Sequence, residues 1–376
     1  MKKSLSYSDV YLVPKYSNLR SRSEADISVS FLGKRFKAPW IPANMESVID
    51  QKTAKWLSEN DYPYIYHRFG DTVRFIEDAN FEKWKLISIS VGVKEEDKKI
   101  LKWICSCGYM VDWINIDIAH GDSVLMKEMI DFIKSLKFKS CLSPYRMGFT
   151  SIPLEYKPKI IAGNIATHNG VANLASWGAD AAKVGIAGGH ACSTKNMTGF
   201  HIPMFSCVED CSKNRHIKID VEKFSQNPSY FYPPKCSILK CQSEIPIIAD
   251  GGIRENGDIS KALVAGATMV MAGSMFAACI DAPGENVHKN AKIASNGLFI
   301  HEEKGNTTHK KYHGSASAKQ KGERKHVEGF ELEIPCNGLT YAEKYQELTE
   351  SLQSSISYAG GKDLNDLKLV ETIRIK

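Results

Sequence analysis

Residues 246–274 decide the fold, and they read Pro246-Ile-Ile-Ala-Asp-Gly-Gly-Ile-Arg-Glu-Asn-Gly-Asp-Ile-Ser-Lys-Ala-Leu-Val-Ala-Gly-Ala-Thr-Met-Val-Met-Ala-Gly-Ser274. Two short apolar runs, residues 246–249 and 269–272, flank a segment whose apolar residues are spaced as in a helix. Continuous apolar strands that alternate with helices are typical of a parallel sheet covered on both faces. The stretch therefore predicts a strand–helix–strand unit of an α/β fold.

Six further runs of the same kind precede this unit, which gives eight predicted strands. A count of eight, rather than five or six, favours closure into a (β/α)8 TIM barrel over an open doubly wound sheet. The sequence thus predicts a single TIM-barrel domain over residues 1–376. The eight runs are residues 40–44, 64–67, 86–91, 113–117, 159–162, 182–185, 246–249 and 269–272.

Two longer segments interrupt the regular spacing of strands and helices. Residues 208–244 lie between the sixth and seventh strands, and the proline-rich stretch 227–234 within them cannot be one continuous helix. We interpret this segment as an insert. Residues 301–338 follow the eighth strand and are polar and basic, which is typical either of a mobile catalytic flap or of a surface loop.

Composition and charge limit the class of protein. The 376 residues include 49 Lys and Arg against 43 Asp and Glu, and the formal net charge is +6. This mild positive charge suits phosphorylated small molecules and is too small to indicate nucleic acid. No apolar run reaches the roughly 18 residues of a membrane span, and no signal peptide is visible. We therefore expect a cytoplasmic protein without a membrane partner, and most of its ten cysteines should be free thiols.

A glycine-rich loop after the sixth strand presents Cys192. Its glycines, Gly185, Gly188 and Gly189, would permit positive φ angles and close approach of a ligand. A thiolate at the end of a barrel strand can attack an electrophilic carbon, and the nearby His190 and Lys195 would lower its pKa. The alternative is that Cys192 is only a small buried side chain. The position after a glycine-rich strand end favours the nucleophile.

The seventh and eighth strands both end in glycines. Two consecutive glycine-rich strand ends are the usual phosphate site of such barrels, where backbone N–H groups and a short helix hold the anion. Asp250 stands beside them and could accept hydrogen bonds from two ribose hydroxyls. The alternative is that these glycines only form turns. The predicted phosphate ligands are Gly251, Gly252, Gly273 and Ser274.

Further motifs occur in a fixed order along the chain. Residues 42–47 read Pro-Ala-Asn-Met-Glu-Ser, residues 117–121 read Asp-Ile-Ala-His-Gly, and the Cys192 loop continues as Cys-Ser-Thr-Lys-Asn-Met-Thr-Gly. Residues 314–329 read Gly-Ser-Ala-Ser-Ala-Lys-Gln-Lys-Gly-Glu-Arg-Lys-His-Val-Glu-Gly, and residues 352–361 read Leu-Gln-Ser-Ser-Ile-Ser-Tyr-Ala-Gly-Gly. Together these motifs resemble the IMP dehydrogenase/GMP reductase family, and the last two resemble its Firmicutes-type GMP reductases in particular. The resemblance covers nearly the whole chain except about 208–244.

The resemblance implies NADPH-dependent conversion of GMP to IMP and ammonia through a covalent thioimidate at purine C2. It makes Cys192 the nucleophile, and it assigns the protonation of the departing ammonia to Thr194 and Glu328. Without the resemblance, Glu328 would be interpreted as a solvated surface charge. A homotetramer without a CBS regulatory domain is also implied. The further residues expected near GMP or IMP are Met45, Asp250, Tyr312, Ser315 and Ser317.

The sequence offers no Rossmann domain for the cofactor, because no Gly-x-Gly-x-x-Gly follows a strand and opens a helix. The resemblance instead places NADPH across the barrel mouth. The expected cofactor residues are Asp117, His120, Gly163 and Asn164. A potassium ion held by backbone carbonyls is implied as well, around Gly185, Gly188 and Cys192.

Two other functions stay open at this point. An IMP dehydrogenase would use the same thiol to oxidise IMP, but that family activates water with an Arg-Tyr pair, and no Arg-Tyr dipeptide occurs in this chain. A catalytically silent purine-nucleotide-binding protein is the other. Residues 187–190 read Ala-Gly-Gly-His where many relatives have Gly-Pro-Gly-Ser or Gly-Pro-Gly-Lys, and residues 200–205 also depart. The choice between GMP, dGMP and a modified guanine nucleotide stays open for the same reason.

A zinc site is a further hypothesis. Cys207 and Cys211 precede most of the insert, and Cys236 and Cys241 lie near its end, so four thiolates could bind structural zinc. The spacings are looser than in a typical Cys-x2-Cys pair. Cys207 and Cys211 also fit one face of a helix, as ordinary core residues.

Overall fold

A computed structural model describes residues 4–140, 154–213, 245–287, 309–314, 317 and 328–375. Its strands are β1 (Val10–Leu12), β2 (Val29–Phe31), β3 (Lys34–Phe36), β4 (Trp40–Pro42), β5 (Ser88–Val91), β6 (Trp113–Asp117), β7 (Phe138–Ser140), β8 (Leu154–Tyr156), β9 (Lys159–Ile165), β10 (Ala181–Val184), β11 (Ile247–Asp250), β12 (Met269–Ala272), β13 (Asn286–Val287), β14 (His309–His313), β15 (Glu331–Pro335) and β16 (Thr372–Arg374). Its helices are α1 (Gln51–Glu59), α2 (Thr72–Phe81), α3 (Glu95–Cys107), α4 (Val124–Ser135), α5 (His168–Trp177), α6 (Thr194–Thr198), α7 (Met204–Ser212), α8 (Asn256–Val264), α9 (Ser274–Ala277), α10 (Tyr341–Tyr358) and α11 (Leu364–Leu367). Among these described helices, none has both the length and the apolar character needed to cross a membrane.

Seven parallel strands form the central sheet, in the order β4-β12-β11-β10-β9-β6-β5. All residues of β5, β10 and β12 are buried, as expected for strands covered on both faces. The α/β class and the parallel sheet predicted from the apolar runs are confirmed. Two strands, β6 and β12, have the predicted bounds.

The second predicted strand, residues 64–67, is the exception. It forms a single parallel bridge between Tyr66 and Ile89, and the Tyr66 N–H donates to the Ser88 carbonyl at 3.0 Å. Pro63 precedes this run and has no N–H to donate, and a polar turn follows it. The central sheet of the described residues therefore has seven strands where eight were predicted.

The sheet is curled, so its two edge strands approach each other. Asn44 follows β4 and donates from its side-chain amide to the Ser90 hydroxyl on β5 at 3.1 Å. The Asn115 amide on β6 donates to the same hydroxyl at 3.0 Å. All three side chains are buried. This contact between opposite edges gathers the carboxyl ends of the strands around one centre.

The C-terminal helix α10 belongs to the core. It begins with a capping box, in which the Thr340 and Glu343 side chains accept each other's backbone N–H groups. One face packs on α8, and Tyr345 on that helix contacts the rings of Trp40 and Phe276. Aromatic pairs of this kind add packing energy to the burial of their apolar area. The helix therefore ties the end of the chain to the first strand of the sheet.

Parts of the two irregular segments have regular structure. The beginning of 208–244 completes α7, and residues 214–244 lie outside the described residues. In 301–338, β14 pairs antiparallel with both β13 and β15. The ranges 301–308, 315–316 and 318–327 lie outside the description. The insert and the mobility of the flap therefore stay predictions.

The seven cysteines of the described ranges are free thiols. Cys207 and Cys211 lie one turn apart on α7 and are buried in the core. The Cys207 thiol donates to the Ala166 carbonyl at 3.4 Å. The hydrogen bond with Cys207 and burial raise the pKa of the Cys211 thiol, which disfavours the thiolate that zinc requires. Cys236 and Cys241 lie outside the described residues, so the zinc site stays a hypothesis.

Candidate active site

A cavity of about 360 Å³ opens at the carboxyl ends of the central strands. Its volume lies in the usual range for small-molecule sites, roughly 300–1,000 Å³. Barrel enzymes carry their active sites at this end of the sheet, where the glycine-rich strand ends predicted the site. The predicted site residues that line it are Met45, Asp117, Asn164, Gly185, Gly188, Cys192, Thr194, Asp250, Tyr312 and Glu328.

Other predicted residues do not line this cavity. His120 is exposed on the loop after β6. Gly163 packs against Lys183, since a Cβ on Gly163 would lie 2.5 Å from the Lys183 Cβ. Ser317 is buried and bridges to Gly329. The phosphate-loop residues Gly251, Gly252, Gly273 and Ser274 lie beside the lining residues, and Ser315 lies outside the described residues.

A hydrogen-bonded chain joins three residues that are far apart in sequence. The Cys192 thiol donates to Thr194 Oγ1 at 3.2 Å, and the Thr194 hydroxyl donates to Glu328 Oε2 at 2.8 Å. The Ser193 N–H donates to the Glu328 carbonyl at 2.9 Å, which fixes the backbone on the other side. Glu328 is therefore not a solvated surface charge. These two hydrogen bonds can carry a proton from the thiol to the carboxylate or back.

Short strand pairings hold the residues around Glu328 against the catalytic loop. Gly329 bridges to Cys192, and the Phe330 N–H donates to the Ala191 carbonyl at 2.8 Å. The Gly314 N–H, just after β14, donates to the Phe330 carbonyl at 3.2 Å. The described ends of the predicted flap thus form part of the wall of the site.

The basic groups expected to activate Cys192 do not surround it as positive charges. Burial and the nearby Arg254 guanidinium lower the pKa of His190, so its imidazole is neutral at neutral pH. Lys195 is exposed and does not line the cavity. The lowered pKa of His190 disfavours the expected activation by this residue, and the exposed Lys195 gains no support for it. Thr194 and Glu328 are the groups in position to take the thiol proton.

The two glycine-rich loops contact each other through their backbones. Gly185 and Gly251 have φ of +136° and +102°, and a Cβ on Gly251 would lie 2.7 Å from the Gly188 carbonyl carbon. The Gly252 N–H donates to the Gly188 carbonyl at 2.8 Å. Ala187, with φ of +60°, takes the left-handed conformation that was expected at Gly188 and Gly189. Gly188 is needed for a different reason, because a Cβ there would lie 2.9 Å from the Met204 sulfur.

Replacing Gly251 by alanine is expected to destabilise the protein by about 1–3 kcal/mol, because the methyl group would combine an unfavourable φ with a backbone clash. Thermal unfolding measures the effect. Gly257→Ala on α8 is the matched control: its methyl meets no atom within 4 Å, and alanine should stabilise the helix by up to about 1 kcal/mol. Equal unfolding temperatures for the two variants would contradict the proposed contact between the loops.

Sequence reasoning missed the charged centre of the site, Lys183. This lysine lies on β10, and its Nζ donates to Asp117 Oδ1 at 2.7 Å and to Asp250 Oδ2 at 3.3 Å. Burial opposes its charge, but the two carboxylates outweigh burial and raise the pKa of Lys183. Burial likewise opposes the charge of Asp117, yet Lys183 holds the pKa of Asp117 below its usual value. The signal in the sequence was a lysine within an otherwise apolar strand.

Met204 and Asn44 are further residues that sequence reasoning did not single out. Met204 begins α7 and supports both glycine loops, because a Cβ on either Gly188 or Gly252 would lie within 3 Å of its side chain. Asn44 lines the cavity beside Met45 and lies 3.4 Å from the Lys183 ammonium through its Oδ1. Neither residue type carries a distinctive signal in such a pattern.

Tyr312 is buried on β14 and faces the glycine-rich end of β12. A Cβ on Gly273 would lie 2.5 Å from the Tyr312 hydroxyl, and this hydroxyl donates to Met45 Sδ at 3.7 Å. Burial and the nearby Asp250 carboxylate raise the pKa of Tyr312, so its hydroxyl remains a donor. This arrangement suits the predicted contact with an anion.

Two of the carbonyls predicted for potassium already accept hydrogen bonds. The Gly185 carbonyl accepts from the Asn164 side-chain amide at 2.8 Å, and the Gly188 carbonyl accepts from Gly252. Each of these carbonyls keeps a second lone pair beside its hydrogen bond, and the potassium site stays a prediction. We therefore assign no chemical step to potassium.

Comparison with known proteins shows to which family the chain belongs. The family model described as IMP dehydrogenase / GMP reductase domain matches residues 4–223 and 234–375. The chain belongs to the IMP dehydrogenase/GMP reductase family. The match also reaches into the predicted insert from both sides, and within the insert it leaves only residues 224–233 unmatched.

Members of this family that resemble the chain are similar over their whole length. A GMP reductase from Staphylococcus carnosus is 39% identical over 100% of this chain and 97% of its own length. One from Oenococcus oeni is 40% identical over 98% of this chain and 96% of its own length. One from Mesoplasma florum is 39% identical over 98% and 97%, respectively.

Proposed function

We propose that the chain catalyses the NADPH-dependent reductive deamination of GMP to IMP and ammonia. Full-length similarity to proteins named GMP reductase supports the reaction. The observation that carries the proposal is the series of hydrogen bonds from Cys192 through Thr194 to Glu328, at the carboxyl ends of the central strands. It places a nucleophile and a proton-transfer group in one cavity, which is what replacement of an amino group at an aromatic carbon requires.

The first step forms the covalent intermediate. The Cys192 sulfur bonds to purine C2, the C2–N bond to the exocyclic amine breaks, and the amine leaves as ammonia. The proton of the thiol passes through Thr194 and Glu328 to the departing nitrogen, so the step consumes no outside proton. The products are ammonia and a thioimidate between Cys192 and the purine.

The second step releases IMP. When bound, NADPH supplies the hydride that ends on purine C2. The C2–S bond then breaks, the oxidised cofactor NADP+ remains, and Cys192 leaves as a thiolate that takes a proton from solvent. A thiolate suits both steps because it is a good nucleophile and a good leaving group.

The residues present fit a nicotinamide on one side of the cavity. Asp117 and Asn164 contribute polar side chains there, and Ile118 and Ala119 contribute an apolar wall against which a flat ring could lie. His120 and Gly163 do not line the cavity, and their contact with the cofactor stays a prediction. Specificity for NADPH is part of the proposal.

The nucleotide is proposed to span the other side of the cavity. Backbone N–H groups of the two glycine loops, together with Ser274 and Tyr312, would hold the 5′-phosphate. Asp250 Oδ2 already accepts from Asn164 and Lys183, which makes Oδ1 the oxygen proposed for the ribose hydroxyls. Met45, Ser315 and Ser317 are proposed to lie near the purine.

We also propose that the curled sheet closes into a TIM barrel without a CBS domain. Two contacts across the gap between β4 and β5 support closure. Tyr66 bridges to Ile89 on β5, and the buried Asn44 side chain after β4 donates to Ser90 on β5. A cytoplasmic homotetramer remains the expected state of the protein.

Incubation with GMP and NADPH is expected to consume the reduced nicotinamide and to yield IMP and ammonia in equal amounts. Absorbance at the reduced-nicotinamide band follows the reaction, and chromatography identifies the product. A second reaction with IMP and NAD+ serves as the control and should yield no XMP. Formation of XMP would identify an IMP dehydrogenase instead, and inactivity in both reactions would indicate a silent nucleotide-binding protein.

A further inference from the structure

Lys183 makes contacts on both sides of the cavity at once. It is 1% exposed, and its ammonium lies within hydrogen-bond distance of Asp117, Asp250 and Asn44. These partners follow or end the strands β6, β11 and β4, while Lys183 comes from β10 between them. An ammonium has three donors, and three acceptors surround this one. Lys183 therefore has no remaining donor for a substrate or for proton transfer.

The charges around Lys183 balance only when the whole cluster is intact. Two carboxylates, Asp117 and Asp250, face one ammonium, and the Arg68 guanidinium lies 4.0 Å from the second oxygen of Asp117. The Asn164 amide donates to Asp250 at 2.8 Å. Removing the buried ammonium leaves two neighbouring carboxylates with only the Arg68 guanidinium beside them, so one negative charge is uncompensated and the carboxylates repel each other. At least one of the two carboxylates would then have to move or to bind a proton.

We propose that Lys183 is a positioning residue that holds the ribose carboxylate Asp250 and the cofactor-side carboxylate Asp117 in one arrangement, so that nucleotide and cofactor affinity depend on each other through it. The inference rests on the proposed function for the roles of the two carboxylates. It goes beyond that function because it couples two ligand sites through a side chain whose three donors are all taken by protein groups. Reciprocal coupling between two sites follows when one element fixes both.

Direct binding of each ligand tests the inference without requiring turnover. Calorimetry with GMP alone and with NADPH alone gives two dissociation constants for wild type, Lys183→Met and Lys183→Arg. We expect Lys183→Met to weaken both by about tenfold or more, a change typical of coupled residues in contact. Lys183→Arg keeps the charge and should restore both constants to within about threefold of wild type. In turnover, KM for both substrates should rise more than kcat falls.

Lys344→Met is the matched control. Lys344 is a buried lysine too, with ion-pair and amide partners Glu347 and Asn256 at 2.9 Å and 3.1 Å, but it lies on α10 outside the cavity. Its removal should lower the unfolding temperature and leave both dissociation constants unchanged. A similar loss of affinity in this control would show that Lys183 acts only through stability and would overturn the inference.

A second variant keeps the inference testable if Lys183→Met does not fold. Asp117→Asn alters only the cofactor side, yet it should weaken GMP binding in the absence of NADPH by about fivefold, because Lys183 then shifts toward Asp250. An unchanged GMP affinity in Asp117→Asn would overturn the coupling. If wild type bound neither nucleotide nor cofactor, the proposed function itself would fail. Binding of both by wild type with no effect of any variant would refute only the role of Lys183.

Discussion

Replacing Cys192 by alanine is expected to lower kcat for GMP reduction by at least about 10⁴-fold, the scale typical of losing a covalent nucleophile. The thioimidate cannot form without the sulfur, and the rest of the site offers no second nucleophile in the described cavity at hydrogen-bond distance from Thr194 and Glu328. Steady-state oxidation of NADPH in the presence of GMP measures the loss.

The control for Cys192 is Cys107→Ala. Cys107 is an exposed thiol at the end of α3 and lies outside the cavity, so its removal should leave kcat within about twofold. Cys192→Ala should still bind GMP, since the loop glycines and Asp250 remain. Appreciable turnover by Cys192→Ala would exclude covalent catalysis by this residue.

Replacing Glu328 by glutamine is expected to lower kcat by about 10²–10⁴-fold, the usual contribution of a general acid or base. The amide keeps the size of the side chain, but it cannot accept the Thr194 proton and pass it to the leaving ammonia. The same assay of GMP-dependent NADPH oxidation gives the value. KM for GMP should change little, because Glu328 contacts the catalytic loop rather than the phosphate site.

A half-reaction separates the role of Glu328 from general damage to the site. With IMP and NADP+ but no ammonia, Cys192 adds to IMP and the hydride leaves to the cofactor, so only hydride transfer is observed. Solvent can take the thiol proton in this burst, whereas the leaving ammonia needs a proton delivered at its nitrogen, so Glu328→Gln should form NADPH within about tenfold of the wild-type rate. Equal losses in the half-reaction and in full turnover would contradict proton delivery to ammonia as the main role of Glu328.

The sheet could be predicted from the sequence because buried parallel strands consist of short apolar runs. Each run from residues 86–91 onward became a strand, and the run 40–44 did as well. Residues 64–67 have the same composition but pair through one bridge, since Pro63 removes a donor next to them. A pattern of hydrophobicity does not show such a local loss of hydrogen bonding.

The site could be predicted only in part, because its partners meet through the fold. Cys192 and the glycine loops could be predicted, because they form motifs at the ends of predicted strands. Glu328 lies 134 residues from Thr194, and its role came from the family resemblance rather than from its own surroundings in sequence. Lys183 was missed because its partners, Asp117 and Asp250, are 66 and 67 residues away. Buried ion pairs between strands leave no periodic signal.

His190 belongs to residues 187–190, where the sequence differs from that of many relatives. Its pKa is lowered and its ring lies 6.5 Å from that of Tyr312, so it borders the phosphate side as a neutral group. The Arg254 guanidinium close by supplies positive charge there. The site therefore keeps a cation near the expected anion, but this cation is Arg254 after β11 and not a residue of 187–190.

The mass of the protein after reaction with IMP and NADP+ tests the central claim most directly. The thiol loses a proton and IMP loses a hydride to the cofactor, so acid-quenched protein should gain the mass of IMP less two hydrogens. Peptide mapping should place the added mass on Cys192, and Cys192→Ala should gain none. Unmodified wild-type protein, or an adduct on another cysteine, would contradict the account of Cys192 as the nucleophile at purine C2.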